Sequence, residues 1–515
     1  MMTGKANKLF DSHLLDNLGV PIQNLVADSR MVKPGDTFLA YAGEKFDARE
    51  FIPQAIAAGA NAVLWERQNF SWNPAWQLPA LPIAGLQRKA GFIANHVYGY
   101  PSQKLRLVGI TGTNGKTSCS HWFAQAMTIL NKKTAVIGTL GNGFFGELEY
   151  SKNTTPDAIL LQQKIAKFLQ QGAENVAMEV SSHGAVQGRI NGVTFTVAVL
   201  TNLSRDHLDY HGSMDAYAAA KAKLFFWPGL KCAVLNLDDV FGVELSRQLV
   251  SQSTQVIGYG FRQSESSNLD QFRMVRGSNL KANLHGLAFD VAFEGSCEKL
   301  EVDLVGKFNA SNLLAVLATM LASDVKLSDA VRSLQQVRGI PGRMEKFGGG
   351  NQPIVIVDYA HTPDALEKVL TTLREMLLTL GQKPDPVTEK AKLFCVFGCG
   401  GERDQGKRKL AGEVVTRFAD EVIVTSDNPR SEDPLAIIDQ IVVGAHTDTS
   451  YQIEENRALA IYQAIYSACQ GDIVLIAGKG HEMYQEIDGQ KIPFSDSQIV
   501  QQVLKDLALE VRAHR

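Results

Sequence analysis

Leu105-Arg-Leu-Val-Gly-Ile-Thr-Gly-Thr-Asn-Gly-Lys-Thr117 is the stretch from which the rest of the chain is read. Leu105 to Ile110 is a short apolar run rich in β-formers and predicts a buried strand. Gly112, Thr113, Asn114 and Gly115 make a tight loop of small residues, Lys116 and Thr117 follow, and Ser118 to Leu130 predicts a helix. Strand, glycine loop, Lys-Thr and helix is the layout of a phosphate cradle. Backbone N–H groups and the helix N-terminus surround the phosphates, the lysine adds a point charge, and the threonine hydroxyl can ligate Mg²⁺. The common P-loop spacing would need glycine where this chain has Ile110; here the glycines fall at 109, 112 and 115. The competing reading is a strand–helix turn that happens to contain Gly-Lys-Thr.

At roughly 100–200 residues per domain, 515 residues suggest about three domains. A net charge of −3 gives no bulk basicity that would point to nucleic acid. Met1 to Leu18 lacks the apolar core of a signal peptide, and no run of about 18 apolar residues exists, so no membrane span is expected. Cysteines 119, 232, 297, 395, 399 and 469 are scattered, without Cys-x-x-Cys pairs, which suits reduced cytosolic thiols better than a disulfide or zinc framework. The expected compartment is the cytoplasm.

Three units are expected, at 1–103, 104–338 and 339–515. In the first, Thr37 to Tyr41 and Asn61 to Trp65 read as strands and Phe51 to Ala58 as a helix; Gly43 to Asp47 is either a plain connection or a ligand loop. In the second and third, apolar runs end again and again in polar clusters. Asn175–Val180 leads into Ser181-Ser-His-Gly184, Thr196–Leu200 into Thr201–His207, Pro353–Val357 into Asp358–Leu366, and Leu393–Phe397 into Gly398–Asp404. Glu421–Thr425 leads into Ser426–Arg430, and Asp472–Ala477 into Gly478–Glu482. In a doubly wound α/β sheet, ligands sit outside the carboxyl ends of the strands, so these clusters read as shared sites. Arg262–Asp270 reads as a loop without chemistry, Gln382–Glu389 as a loop with two prolines, and Arg338-Gly-Ile-Pro-Gly-Arg343 as a hinge.

A phosphate cradle wants a divalent metal, and Thr117, Glu179 and His207 are candidate ligands on one sheet edge; each could equally be a cap or loop partner. Arg403 and Arg430 are forked donors suited to carboxylates, and Asp427 and Glu482 are acceptors suited to an ammonium; the competing reading is surface ion pairing.

Gly112-Thr-Asn-Gly-Lys-Thr117, Glu179-Val-Ser-Ser-His-Gly184, Thr201–Gly212, Asp358-Tyr-Ala-His-Thr-Pro363 and Gly478-Lys-Gly-His-Glu482 together resemble the Mur ligases over nearly the whole chain. Asp427-Asn-Pro-Arg430 is similar to the motif of the members that add meso-diaminopimelate. The resemblance implies an α/β protein of three domains, the central one a P-loop-type mononucleotide-binding domain and the C-terminal one Rossmann-like. It implies ATP and Mg²⁺ as cofactors, UDP-N-acetylmuramoyl-L-alanyl-D-glutamate and meso-diaminopimelate as substrates, and a monomer with neither nucleic acid nor membrane as partner. It further implies that Gly112 to Ser118 bind ATP, with Asn309, Arg343 and Asp358 at the base and ribose. Thr117 and Glu179 would hold one Mg²⁺, and His207 and a carbamylated Lys221 a second. Lys223 is a rival, but two residues on a helix lie about 200° apart, so only one can face the site. Ala27, Ser29 and Glu44, Lys45 and Phe46 match the UDP end. Asn153, Thr154, Thr155, Ser181, Gln187 and Arg189 match the muramoyl-dipeptide contacts, and Arg403, Asp427, Asn428, Pro429, Arg430, Gly478 and Glu482 the diaminopimelate site. Ser118 stands where many relatives have threonine. The alternatives are the L-lysine-adding ligase of the same family, a folyl-polyglutamate synthetase-like ligase, or a nucleotide switch; Arg430 argues against lysine, which has no distal carboxylate.

Overall fold

The computed structural model describes residues 10–43, 46–262, 272–283, 286–380, 391–446 and 450–513. Glu44, Lys45 and most of the two loops expected at 262–270 and 382–389 lie outside the described residues. Three main sheets follow one another along the chain. The first has four parallel strands, Leu25–Val26, Thr37–Ala40, Ala62–Glu66 and Ala80–Ile83. The second has eleven strands, and Arg106–Thr111 runs through its middle between Asn175–Glu179 and Val197–Leu200, parallel to both. The third has six strands, all parallel except the antiparallel edge strand Glu345–Gly348.

Strands such as Ile354–Asp358 and Ile473–Ala477 are apolar without alternation because helices cover both faces of the third sheet. Leu366, Leu370, Val415 and Ile438 pack one face, and Ala460, Ile461, Ala464 and Val500 the other. In the second sheet the helix Lys116–Ile129 packs on Lys307–Leu321 over Val108, Ile110 and Val199. That helix starts at Lys116, so the lysine and Thr117 sit in its first turn. The helix expected near Asn309 starts at Lys307, directly after Gly306 with φ +104°.

Register decides what meets at the sheet edge. Ile110 pairs with Glu179 and Thr111 with Leu200, so the cradle loop leaves its strand level with Glu179 and with the polar segment after Leu200. In the third sheet Asp358 pairs with Ala477, which puts the Asp358 and Gly478 segments side by side. The first unit docks tightly on the second: a Cβ on Gly91 would lie 2.1 Å from the Asn191 carbonyl oxygen. Gln163 also donates from Nε2 to Asn24 Oδ1 at 2.8 Å and to the Leu25 carbonyl at 2.9 Å. All six cysteines are free. Among the described residues no helix is long and apolar enough to cross a membrane.

Candidate active site

The cradle loop is pressed against its neighbours. A Cβ on Gly112 (φ +148°) would lie 1.9 Å from Thr201 Oγ1, and one on Gly115 (φ +85°) 2.4 Å from Asn312 Oδ1, so only glycine fits at either position. Thr201 Oγ1 donates to the Asn114 carbonyl at 2.6 Å, and Asn114 N donates to Asn202 Oδ1 at 3.0 Å, fastening the loop to the next strand's tip. Lys116 curls back, its Nζ donating to the carbonyls of Gly112 (2.9 Å) and Thr113 (2.8 Å). Burial pushes its ammonium below the ordinary lysine range, with Glu179 and Asp206 pulling the other way.

Glu179 is fully enclosed and held at both oxygens. Thr117 Oγ1 donates to Oε2 at 3.1 Å, and Thr139 donates from N to Oε1 at 2.9 Å and from Oγ1 to Oε2 at 3.1 Å. Gly138 makes room for it, since a Cβ there would lie 2.2 Å from Oε1. A hydroxyl and a carboxylate side by side fit Mg²⁺, which takes few protein oxygens and keeps waters and phosphate oxygens.

Burial distinguishes the two lysines on the helix Met214–Ala222 and its end. Lys221 is 2 % exposed, whereas Lys223 is exposed. Lys221 Nζ donates to the Gly112 carbonyl at 2.8 Å and lies 4.3 Å from the centre of the Tyr217 ring. Burial, then Lys116, pushes its ammonium well below the ordinary range. A buried lysine that is readily neutral is the form an uptake of CO₂ requires, and the resulting carbamate would be an oxygen donor. His207, in a left-handed backbone conformation (φ +54°), has Nε2 3.4 Å from Asp206 Oδ2. Burial pushes its pKa down to about 4 against the pull of Asp206, so the imidazole is neutral, as a metal ligand must be. His183 (4.8 Å from His207 between ring centres) packs beside His207 with Tyr210 and His211 packed against it in turn, and His211 Nε2 is 2.9 Å from Ser182 Oγ. No group of three His, Cys, Asp or Glu that could hold a metal occurs among the described residues. The candidate donors are of mixed type: hydroxyl, carboxylate and imidazole, with Lys221 a donor only as its carbamate.

The third unit supplies the opposite wall. Arg343 stacks 4.2 Å over Tyr359 and reaches Thr117 Oγ1 at 3.4 Å. The Asp358 carboxyl, pushed up by burial, accepts from Met344 N at 2.7 Å and Ala360 N at 2.8 Å. Asn309, from the second unit, is buried, donates to the Val305 carbonyl at 2.7 Å and accepts from Asn312 at 3.1 Å. Asp364 bridges the units, accepting from Ser204 Oγ at 2.8 Å and Asn114 Nδ2 at 3.3 Å. Between these walls lies a cleft of about 620 Å³. It is lined by Thr113 to Ser118, Thr154, Glu179, Ser181, His207, Lys221, Asn309, Arg343, Asp358 and Arg403.

The remaining candidates lie outside that cleft. Thr155 is fully buried, its hydroxyl donating to the Glu179 carbonyl at 2.9 Å, and Arg189 donates to the Thr155 carbonyl at 2.9 Å. Asn153 accepts from Ser151 Oγ at 2.7 Å through its carbonyl, and Gln187 Nε2 is 3.4 Å from Tyr210 OH. In the first unit Ser29 Oγ donates to Gln54 at 3.0 Å, Ala27 is partly buried and Phe46 is 74 % exposed. Asp427, Asn428, Pro429, Arg430, Gly478 and Glu482 form a second cluster at the third sheet's edge. There Arg430 donates to the Gly401 carbonyl at 2.5 Å, and its Nε is 3.4 Å from Glu486 Oε2. Asn428 Nδ2 donates to Glu482 Oε2 at 2.8 Å, and a Cβ on Gly478 would lie 2.6 Å from Asp427 Oδ2.

Residues 21–97 match the Mur ligase family catalytic domain, 110–320 the Mur ligase middle domain, and 342–480 the Mur ligase glutamate ligase domain. The chain is 58 % identical over 513 residues to the UDP-N-acetylmuramoyl-L-alanyl-D-glutamate--2,6-diaminopimelate ligase of Nitrosomonas europaea, covering 99 % of this chain and 98 % of that one. The chain belongs to the Mur ligase family. The ligase of the same name from Chromobacterium violaceum is 50 % identical over 496 residues, 96 % of this chain and 97 % of that one. Among solved structures, a UDP-N-acetylmuramoyl-L-alanyl-D-glutamate--2,6-diaminopimelate ligase is similar at 35 % identity and a TM-score of 0.64, over 95 % of this chain and 96 % of that one.

Several residues that shape this Mur ligase site carry no role in the sequence reading. Asp206, Asp364 and Tyr359 stand inside the quoted motifs, so their position was visible but not their contacts. Lys479 lies inside Gly478–Glu482, and its ammonium already sits between acceptors expected to await a ligand, 2.9 Å from Glu482 and 3.8 Å from Asp427. Arg457 and Asp496, fully buried and paired at 2.8 Å, are 39 residues apart and gave no signal at all.

Proposed function

We propose that this chain is an ATP-dependent amide ligase that joins meso-2,6-diaminopimelate to the D-glutamyl residue of UDP-N-acetylmuramoyl-L-alanyl-D-glutamate in peptidoglycan synthesis. It acts as a monomer in the cytoplasm, with domains at 1–103, 104–338 and 339–515. The observation that carries the reading is the shared cleft, with the Gly-Lys-Thr loop, Glu179, His207 and Lys221 on one wall and Arg343, Asp358 and Arg403 on the other. The names of the relatives point to the same activity.

The γ-carboxylate oxygen of the D-glutamyl residue attacks the γ-phosphorus of ATP, the bond to ADP breaks, and an acyl phosphate results. The free amine of diaminopimelate then attacks the acyl carbon, phosphate leaves with the C–O bond's electron pair, and the nitrogen loses its proton. This is mostly positioning and charge neutralisation. Gly112 to Ser118 cradle the phosphates, Lys116 releases its two loop carbonyls to meet them, and Asn309, Arg343 and Asp358 hold the base and ribose side. Mg²⁺, at Thr117 and Glu179 and at His207 with carbamylated Lys221, would neutralise phosphate charge. Thr154 and Ser181 face the dipeptide within the cleft; Asn153, Thr155, Gln187 and Arg189 lie beyond it, on the path of the muramoyl end. Ala27, Ser29 and Glu44 to Phe46 take the UDP end. Arg403, Asp427 to Arg430, Gly478 and Glu482 take diaminopimelate, with Arg430 for its distal carboxylate. Closure of the third domain on the second keeps water from the acyl phosphate.

The test is incubation with ATP, Mg²⁺ and the UDP-dipeptide, with diaminopimelate or L-lysine in parallel, and identification of the product by mass. The expected result is the diaminopimelate adduct, with ADP release that requires both acceptor and amino acid. ADP release without either makes the protein a switch, and equal use of lysine removes the role of Arg430.

A further inference from the structure

Resting on the reading above, we propose that Lys479 sets the charge of the amino-acid pocket. It neutralises one of two carboxylates there, so that the pocket takes an amino acid with a zwitterionic far end in preference to one ending in a bare ammonium.

Lys479 has no exposed side-chain surface, so it cannot touch a ligand and must act through its neighbours. Its Nζ donates to Asn428 Oδ1 and Glu482 Oε2, both at 2.9 Å, and lies 3.8 Å from Asp427 Oδ1. Asn428 Oδ1 also accepts from Glu486 N at 2.9 Å, so its amide can face only one way, with Nδ2 donating to Glu482 Oε2. Glu482 Oε2 is thereby taken twice, while Oε1 accepts no hydrogen bond among the described residues. That side chain is 19 % exposed, enough for an incoming ammonium to reach the free oxygen.

The charge count follows from the same contacts. Arg430 and Glu486 balance each other at 3.4 Å, as do the buried Arg457 and Asp496. Within this hydrogen-bonded cluster that leaves Asp427 and Glu482 against Lys479, one net negative charge, while Arg403 stands exposed at the cleft and is left for the ligand's own carboxylate. Diaminopimelate brings a distal ammonium together with a carboxylate; lysine brings an ammonium alone. Without the Lys479 charge, two bare carboxylates would draw the more cationic ligand, because charges a few ångströms apart interact strongly where solvent is scarce. A lysine present only to satisfy the Asn428 amide would have no such effect on selectivity.

The test uses the full chain with saturating ATP, Mg²⁺ and UDP-dipeptide, and reads kcat/KM for meso-diaminopimelate and L-lysine. In Lys479→Met, and in Lys479→Gln, which keeps a donor but not the charge, the diaminopimelate-to-lysine ratio should fall at least tenfold. The KM values for ATP and UDP-dipeptide should stay within about twofold. Adding Glu482→Gln to Lys479→Met restores the single negative charge and should return the ratio most of the way, even where absolute rates are low. A ratio within twofold of the parent chain in either single variant overturns the proposal, as does loss of folding in both, which would make the lysine structural. A parent chain that couples neither amino acid overturns the proposed function instead.

Discussion

Arg457→Met should unfold much of the third domain's margin of stability. The Arg457 and Asp496 side chains have no exposed surface, and Arg457 Nε and Nη2 each meet the carboxylate at 2.8 Å. Nη2 also donates to the Ala477 carbonyl at 2.8 Å, and Nη1 approaches the Ser426 carbonyl at 3.4 Å. Removing the guanidinium strands a carboxylate in the interior, which costs about 3–5 kcal/mol. The lost donor to Ala477 adds about 1 kcal/mol. Against a total of roughly 5–15 kcal/mol for a domain, this is a large share. Arg457→Met with Asp496→Leu removes both charges together and should recover most of the loss, because apolar replacement of a buried pair is often near neutral. All five tryptophans precede residue 228, so their fluorescence does not report on this domain. Hydrogen exchange of the Ile473–Ala477 strand amides in urea does, and it isolates the third domain's own opening. A single variant that loses less than about 1 kcal/mol, or a double variant no better than the single, refutes the reasoning; the pair would then be far better solvated than its burial indicates.

Lys221→Ala should lose most ligase activity and high bicarbonate should not restore it, while Lys223→Ala stays near the parent rate; unimpaired Lys221→Ala turnover removes the lysine from the metal site. Gly138→Ala should lower kcat at least tenfold and raise the Mg²⁺ concentration required, because the new Cβ would sit 2.2 Å from Glu179 Oε1 and push that carboxylate out of place. An unchanged Mg²⁺ requirement would count against Glu179 as a ligand. His121, buried in the cradle helix, is pushed down to about 4 from 6.5, first by burial and then by Arg343. The folded state therefore binds fewer protons than the unfolded chain between those two values, so stability falls as pH drops through that window and is unaffected above it. At about 1.4 kcal/mol per pH unit the loss reaches up to ~3 kcal/mol at the bottom of the window. His121→Leu should make the fall in melting temperature between pH 7 and 4.5 shallower, the remaining slope coming from other buried histidines such as His207, and a slope as steep as the parent's would assign the acid sensitivity elsewhere.

Much of the site was legible because its residues are tied to strand ends. A glycine loop after an apolar run, with Lys-Thr opening a helix, can be recognised without coordinates, and so can polar clusters repeating at strand tips. What the cluster residues do to one another was not legible. Asp427 and Glu482 read as acceptors awaiting an ammonium, yet Lys479 from the same motif already lies between them. Thr155 reads as a substrate contact, yet its hydroxyl is spent on the Glu179 carbonyl. Arg430 reads as a free fork, yet it holds the Gly401 carbonyl.

By itself the sequence determined the cradle, its following helix and the strand tips from which chemistry would come, because hydrophobic period and glycine placement are local properties; the antiparallel strands Arg273–Asn283, Gly286–Phe293 and Ser296–Val302 were not read from it. It also required that only one of Lys221 and Lys223 face the cradle. Tertiary structure decided which one, by enclosing Lys221 under the Gly112 carbonyl, and it decided by strand register that Glu179 stands level with the cradle. It alone joined Arg457 to Asp496 and Lys479 to Asn428. Charge pairing depends on distance in space and on the exclusion of water, and neither can be read along the chain.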